Sequence, residues 1–250
     1  MTGALRIAGR LALQTCDPFR AARALRRYAS FFDDYRRFQR MSAGACRLRD
    51  LDPQLHDRTA DHGFDAHYLY MNSWAMRRIL GHRPGLHVDV GGQPVLAALL
   101  SAAMPVVLVD YRPLHATIDG LQCVAGDAQR LPFRDASVES LSCLHVAEHI
   151  GLGRYGDGID PEGTVRVIRE LSRVLAPGGN LFFALPVGMP RVCFNAHRIH
   201  AATTVRNCLA ELELLEHSGV HDDGRFVEMV SLGEFGVSDY ACGFFWFAKP

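Results

Sequence analysis

The segment His145-Val-Ala-Glu148-His149 places three side chains able to bind a metal or move a proton within five residues. On a helix, His145 and His149 stand one turn apart and can share a zinc ion, with Glu148 as the base that activates its water. At a strand end, the same imidazoles can take a proton from a nucleophile, because histidine titrates near neutrality. Upstream, marked residues recur after apolar runs: Asp89, Gly91 and Gly92 in HVDVGGQP, Asp110 and Tyr111 in VVLVDYRP, and Asp127 and Ala128 in VAGDAQRLPF. A parallel strand delivers such residues to a ligand crevice at its carboxyl end.

Each of these positions has a specific use. Gly91 and Gly92 let the backbone turn tightly where a side chain would collide with a ligand. Asp110 lies 19 residues after Gly91, the place from which a carboxylate accepts hydrogen bonds from both ribose hydroxyls of an adenosine. Asp127 can accept from an adenine amino group while Leu131 packs the ring, and a plain turn aspartate is the competing explanation. A dinucleotide fingerprint would need glycines where Gln93 and Leu96 stand, so bound NAD is disfavoured.

These residues require an alternation of strands and helices. Periodicity predicts strands at 87–90, 106–110, 121–125, 138–144 and 180–185, with helices at 95–103 and 161–175. That order implies a parallel sheet. The apolar window from Gly92 to Val109 is broken by Pro94 and Pro105 and bracketed by Asp89 and Asp110, so it reads as helix and strand, not as a membrane span. Before the sheet, HYLYMNSWAMRRIL has helical spacing and is expected to stop at Gly81. After it, Thr203 to Glu213 suits a helix, and GFFWFAK suits the last strand.

As a set, Asp89 and Gly91, Asp110, GDAQRLPF and ELSRVLAPGG resemble class I S-adenosylmethionine-dependent methyltransferases over residues 85–188. More narrowly, SLSCLHVAEHIGLGRYGD, PVG and FNAHRI resemble the family catalogued as domain of unknown function 268. The resemblance implies a Rossmann-like α/β fold, its sheet mostly parallel with an antiparallel last strand, preceded by a helical N-terminal extension. It implies S-adenosylmethionine as cofactor, held by Asp89, Gly91, Gly92, Asp110, Tyr111, Asp127, Ala128 and Leu144. The chain departs from the acidic-x-Gly-x-Gly-x-Gly loop at Gln93 and Val95. A sulfonium cofactor carries no phosphate and has less need of bare amides at a helix N-terminus.

In this reading His145 faces the donor methyl at a strand end, and Glu148 and His149 begin the following helix. His145, Glu148, His149 and His197 are the candidate catalytic residues. Methyl transfer would be an in-line displacement, helped by alignment and by removal of a proton from a hydroxyl acceptor. Arg154 and Tyr155 in the glycine-rich GLGRYGD loop can meet a polar acceptor, and Asn195, His197 and Arg198 follow the fifth strand where acceptor groups gather. The expected acceptor is a small molecule or glycan, methylated on oxygen or nitrogen, and the family likeness points loosely to surface polysaccharide. Two rivals are a non-catalytic cofactor-binding module, suggested by the altered glycine loop, and a zinc hydrolase. The latter follows from the match of His145, Glu148 and His149 to the HxxEH pattern of inverted zinc peptidases, with Glu170, His197 or Glu211 as third ligand; the setting inside a cofactor-binding sheet speaks against a metal.

Charge separates the two ends of the chain. Residues 1–50 hold eleven arginines and four aspartates, a net of +7 that the remainder cancels. The overall balance gives no electrostatic case for nucleic acid. Between residues 20 and 40, Leu25, Tyr28, Phe32, Tyr35 and Phe38 form an apolar stripe, with Arg23, Arg26, Arg27, Arg36, Arg37 and Arg40 largely elsewhere. The stripe can pack on the body, or it can make peripheral contact with an anionic membrane. Residues 1–80 are expected to form a helical extension or lid and residues 81–250 the cofactor-binding domain. Seven cysteines, Cys16, Cys46, Cys123, Cys143, Cys193, Cys208 and Cys242, lack a CxxC pair and suggest reduced thiols. With Arg6 and Arg10 but no cleavable apolar leader, the sequence suggests a cytoplasmic protein.

Overall fold

The computed structural model describes residues 18–42, 47–55 and 57–250, and side chains from residue 26 onward. The leader reading at Arg6 and Arg10, the thiols of Cys16 and Cys46, and the side chains of Arg20, Arg23 and Leu25 lie outside the described residues. The chain divides into two compact units, Met1–Gly63 and Phe64–Pro250.

In the first unit, helix α1 spans Pro18–Met41 and a 3-10 turn spans Leu48–Asp50. Tyr28, Phe32 and Phe38 of the apolar stripe are 41%, 41% and 55% exposed. Arg58 reaches back to Asp34 at 3.4 Å. No described helix is long and apolar enough to cross a membrane.

The second unit begins with α2 (Ala66–His82), whose N-terminus is capped by the Asp65 side chain accepting from the Tyr68 amide. The sequence grouped this helix with the N-terminal extension. It packs instead as part of the sheet domain, burying Met71, Trp74, Ala75 and Ile79. Gly81 does not end it: the left-handed terminal position falls two residues later on Arg83, at φ +48°.

The strands are β1 (His87–Val90), β2 (Val106–Asp110), β3 (Leu121–Ala125), β4 (Val138–Leu144), β5 (Leu175–Val187), β6 (Arg191–Cys193), β7 (His197–Ile199), β8 (Glu213–Val220), β9 (Phe226–Val227) and β10 (Ala241–Ala248). The helices between them are α3 (Pro94–Ser101), α4 (Gly163–Val174) and α5 (Ala202–Cys208). Eight strands form one sheet in the order β3-β2-β1-β4-β5-β10-β8-β9, and β6 pairs with β7 apart from it. Pairs from β3 through β5 are parallel, whereas β10 is antiparallel to both β5 and β8. The fold is therefore the expected Rossmann-like sheet, mostly parallel with an antiparallel last strand. Element ends shift by a residue or two at α3 and α4, and the largest departures are that β5 runs from Leu175 to Val187 and that the helix expected to reach Glu213 stops at Cys208, where the chain turns to enter β8.

Strand alternation assigns each apolar residue to a face. Phe183, Leu185, Phe245 and Phe247 join Val167, Leu171 and Val205 under α4 and α5. Phe182, Ala184 and Phe244 join Trp74, Ile79 and Leu100 under α2 and α3. Each fully buried aromatic ring contributes about 1.5–3 kcal/mol over its exposed state. A polar clamp fixes α2: Glu216 of β8 accepts from Arg78 at 2.9 and 3.0 Å, from Trp74 Nε1 at 2.8 Å and from Ser218 at 2.6 Å. Burial opposes a charge on Glu216, but these donors hold its carboxyl below the usual range. The clamp thereby positions His67, in the first turn of α2, beside the carboxyl ends of the strands.

Candidate functional site

The centre of the sheet carries a polar line that the sequence does not announce. His87 Nδ1 meets Ser140 Oγ at 2.7 Å, His87 Nε2 meets Ser142 Oγ at 2.9 Å, and Ser142 donates to Asp89 Oδ1 at 2.5 Å. Since Ser142 donates to Asp89, it accepts from Nε2, and the imidazole is the neutral Nε2–H tautomer. Burial accounts for that, lowering the His87 pKa to about 3. Burial also raises Asp89 to about 6, and Asp89 Oδ2 has no hydrogen-bond partner.

The glycine turn lies directly over this carboxylate. A Cβ on Gly92 would fall 2.2 Å from Asp89 Oδ2, and one on Gly91, at φ +63°, would fall 2.7 Å from Val146 Cγ1. The backbone here needs glycine for space at both positions and for conformation at Gly91. Gln93 is not a lost glycine without consequence: its side chain accepts from Asn72 of α2 at 2.8 Å, tying the loop to the helix.

The loop opens into a cleft of about 920 Å³ at the carboxyl ends of the strands. Gly91, Gly92, Asp110, Leu144, His145, His149 and His197 all line it. A smaller recess of about 100 Å³ adjoins, lined by Asp110, Tyr111, Asp127, Ala128, Val146 and Ile150 among others. Asp110 borders both spaces. Its Oδ1 accepts from the Arg112 amide at 2.7 Å. Asp127 Oδ1 accepts from the Gln129 amide at 2.8 Å, the turn-stabilising contact. Leu131 is buried, and Tyr111 is 53% exposed.

The His145–His149 segment is not helical. Residues from His145 to Gly151 form turns, and the next helix starts only at Gly163. Glu148 and His149 therefore do not begin a helix, and the two histidines do not share a helical face. His145, at φ +57°, donates from Nδ1 to Glu148 Oε1 at 2.7 Å. On its other side Nε2 lies 3.0 Å from Cys242 Sγ. Burial opposes charge on His145, but Cys242 and Glu148 raise its pKa well above the ordinary value. Glu148 is the anion responsible at neutral pH, because burial pushes the Cys242 thiol up. Glu148 itself is fully buried; burial pushes its carboxyl up, but His145 holds it low. Its Oε2 has no hydrogen-bond partner. His149 approaches Glu148 Oε1 at 3.6 Å and donates from Nδ1 to the Ala196 carbonyl at 2.6 Å.

The outer wall is aromatic and comes from distant segments. His67 stacks on His145 and on Tyr240, and His197 packs on Tyr240 with 4.7 Å between ring centroids. Asp222 holds the Tyr240 backbone by accepting from its amide at 2.7 Å. Burial and the neighbouring His145 lower the His67 pKa to about 4, and burial lowers His197. Opposite, Arg112 lies 4.5 Å above the Tyr155 ring. Asp157 secures this loop by accepting from the Gly151 and Tyr155 amides.

Of the FNAHRI residues, His197 alone lines the cleft. Arg198 is buried and donates to the Ile150 and Asp160 carbonyls at 2.6 and 2.8 Å, shaping the 150–160 loop, and Asn195 lies exposed outside the cleft. Glu170 pairs with Arg173 and Glu211 accepts from Ser172, both away from the cleft, so neither completes a metal site with His145 and His149. Sequence spacing missed His67, Tyr68, Arg112, Tyr240 and Cys242, since they come from separate stretches of the chain and carry no local pattern.

Comparison with solved structures establishes the fold class. The N-methyltransferase NodS from Bradyrhizobium japonicum, solved with S-adenosyl-L-homocysteine, superposes with a TM-score of 0.53 at 17% identity, covering 81% of this chain and 95% of that one. The [4+2]-cyclase SpnF gives 0.52 at 18% identity, covering 72% and 81%. The YcgJ protein from Bacillus subtilis gives 0.50 at 12%, covering 73% and 99%. The protein has the class I methyltransferase fold. Over residues 134–228 it also matches the family described as Caenorhabditis protein of unknown function, DUF268. Comparison with curated protein sequences finds no match.

Proposed function

We propose that this protein binds S-adenosylmethionine over the carboxyl ends of β1, β2 and β4 and methylates an oxygen or nitrogen of a small or glycan-type acceptor. The observation that carries this reading is Asp110, which borders both the cleft and the recess and whose carboxylate is fixed by accepting the Arg112 amide on Oδ1. Asp110 would accept from the ribose hydroxyls. Asp127, Ala128 and Leu131 would hold the adenine, and Tyr111 would cover it. Gly91 and Gly92 give the backbone clearance a methionyl chain needs, and Leu144 would bound the cofactor on the sheet side. Asp89 lies buried beneath this turn and lines neither space, so it would support the loop without touching the ligand.

The chemistry supplied there would be an electrophilic methyl on a sulfonium. His145, locked between Glu148 and Cys242, is suited to orient groups and not to accept a proton. His149 is committed to the Ala196 carbonyl. His197, kept neutral by burial, faces the cleft and is the side chain best able to take a proton from an acceptor hydroxyl. Arg112, Arg154, Tyr155 and Tyr240 give the cleft hydrogen-bond donors and flat rings suited to a polyhydroxylated acceptor. A volume near 920 Å³ accommodates a cofactor with a small acceptor.

SpnF carries the same fold under the name of a cyclase, so the chemistry needs its own test. Calorimetric titration with S-adenosylhomocysteine should show one site in the wild type and its loss in Asp110→Ala. At about 100 times the dissociation constant, binding adds about 2.7 kcal/mol, a shift of roughly 5–10 °C in melting temperature. Equal affinity in both proteins, or none in either, overturns the reading.

A further inference from the structure

We propose that His67, His145 and Cys242 form a binding site for a divalent transition metal of the zinc class, with a fourth position open to the cleft. Their candidate ligand atoms all lie within 4.8 Å of one another. The set differs from the HxxEH reading, because it draws one ligand from α2, one from the end of β4 and one from β10. Two imidazoles and a thiolate are a ligand set that zinc favours, and three protein ligands with an open fourth position are the arrangement of reactive zinc sites.

The surroundings of His145 are those of a metal ligand. Its Nδ1 is bound to Glu148 at 2.7 Å, which leaves Nε2 directed at Cys242. A carboxylate on the far nitrogen fixes the tautomer and strengthens the imidazole as a ligand. Glu148 is fully buried and, among the described residues, pairs with no arginine or lysine and keeps one oxygen without a partner. The left-handed backbone of His145 is a strained conformation for a side-chain-bearing residue, held where the surrounding structure over-determines it.

The movement required is small and identifiable. Zinc placed at ordinary bond lengths separates nitrogen from sulfur by about 3.5 Å and nitrogen from nitrogen by about 3.3 Å. The His145–Cys242 contact, now 3.0 Å, widens by about half an ångström. The His67 ring, now nearly parallel to His145 at 5.5 Å between centroids, turns its nitrogen edge toward the sulfur. His67 and His145 both line the cleft, so a ligand oxygen or sulfur entering there can reach the open position.

The test is titration of the chelator-stripped protein with cobalt(II), a spectroscopic probe for zinc sites. The expected result is one ion per chain with a thiolate-to-cobalt charge-transfer band, displaced by zinc. Cys242→Ser should abolish the band, and His67→Ala and Glu148→Gln should each weaken binding about 10–100-fold. His67 sits on a partly exposed first helical turn, so His67→Ala decides the matter if Cys242→Ser does not fold. A wild type without the band, or one whose binding is indifferent to His67→Ala, overturns the proposal. S-adenosylhomocysteine titration of the stripped protein separates this result from the methyltransferase reading, since either site can be present without the other.

Discussion

Replacing Asp89 by asparagine removes a charge that the sheet buries completely and pairs with a single hydroxyl. Burial raises the carboxyl from 3.8 to about 6 in the folded protein. The folded state thus holds the proton more tightly than the unfolded state. Below about pH 4 both states are protonated and the charge costs nothing; between about pH 4 and 6 the unfolded state ionises first, and stability falls as pH rises; above this the full cost remains, about 3 kcal/mol. The Asp89→Asn variant would carry no such dependence, although its amide would bring a fixed cost of its own beside Ser142. The quantity to measure is therefore the stability of Asp89→Asn minus that of the wild type, by urea unfolding at several pH values. The difference should rise by about 2.5 kcal/mol from about pH 4 to about pH 7, whatever its absolute sign. A difference constant within about 0.5 kcal/mol across that range would refute the assignment of a desolvated, underbonded carboxylate.

Two other substitutions probe the supports of the site. Glu216→Gln breaks the clamp on α2 and leaves Arg78 without its main partner, so it should cost about 3–5 kcal/mol in denaturant unfolding and weaken cobalt binding through displacement of His67. Arg198→Ala strands the Ile150 and Asp160 carbonyls; it should cost about 1–3 kcal/mol and raise proteolytic cleavage between residues 150 and 160, with far-ultraviolet dichroism unchanged.

The sheet was legible because its signals are local. Strands β1 to β4 were readable to the residue, since each is an apolar run ended by Asp, Gly or a turn. Of the marked residues at their carboxyl ends, Gly91, Gly92 and Asp110 line the cleft and Tyr111, Asp127 and Ala128 the recess, whereas Asp89 is buried and lines neither. Helix ends were less legible: at Gly81 the residue type suggested a stop, but the Glu216 clamp and the burial of Ile79 carry the helix to His82. Tertiary packing overrode the local preference there. The same holds for the HxxEH segment, whose spacing fits a helical zinc pair as well as a strand-end turn. Its conformation is decided by Cys242 in the last strand, 97 residues away, and no window of sequence contains that contact.

The distribution of buried polar groups argues that the cleft, more than the stability of the sheet, governs this face of the fold. Under α4 and α5 lies a large apolar cluster, with His217 of β8 stacked on Phe245 and with Thr164 and Ser172 of α4 also buried. The other face also has an apolar cluster, yet its central strands carry His87, Asp89, Ser140, Ser142 and Glu216, with His145 at a strand end. Three buried acceptors, Asn72 Oδ1, Asp89 Oδ2 and Glu148 Oε2, have no hydrogen-bond partner among the described residues. Each such atom costs about 1–3 kcal/mol relative to a satisfied one. Apolar side chains of similar volume would remove that cost. The cation proposed at His67, His145 and Cys242 would lie beside Glu148 and would offset part of that cost.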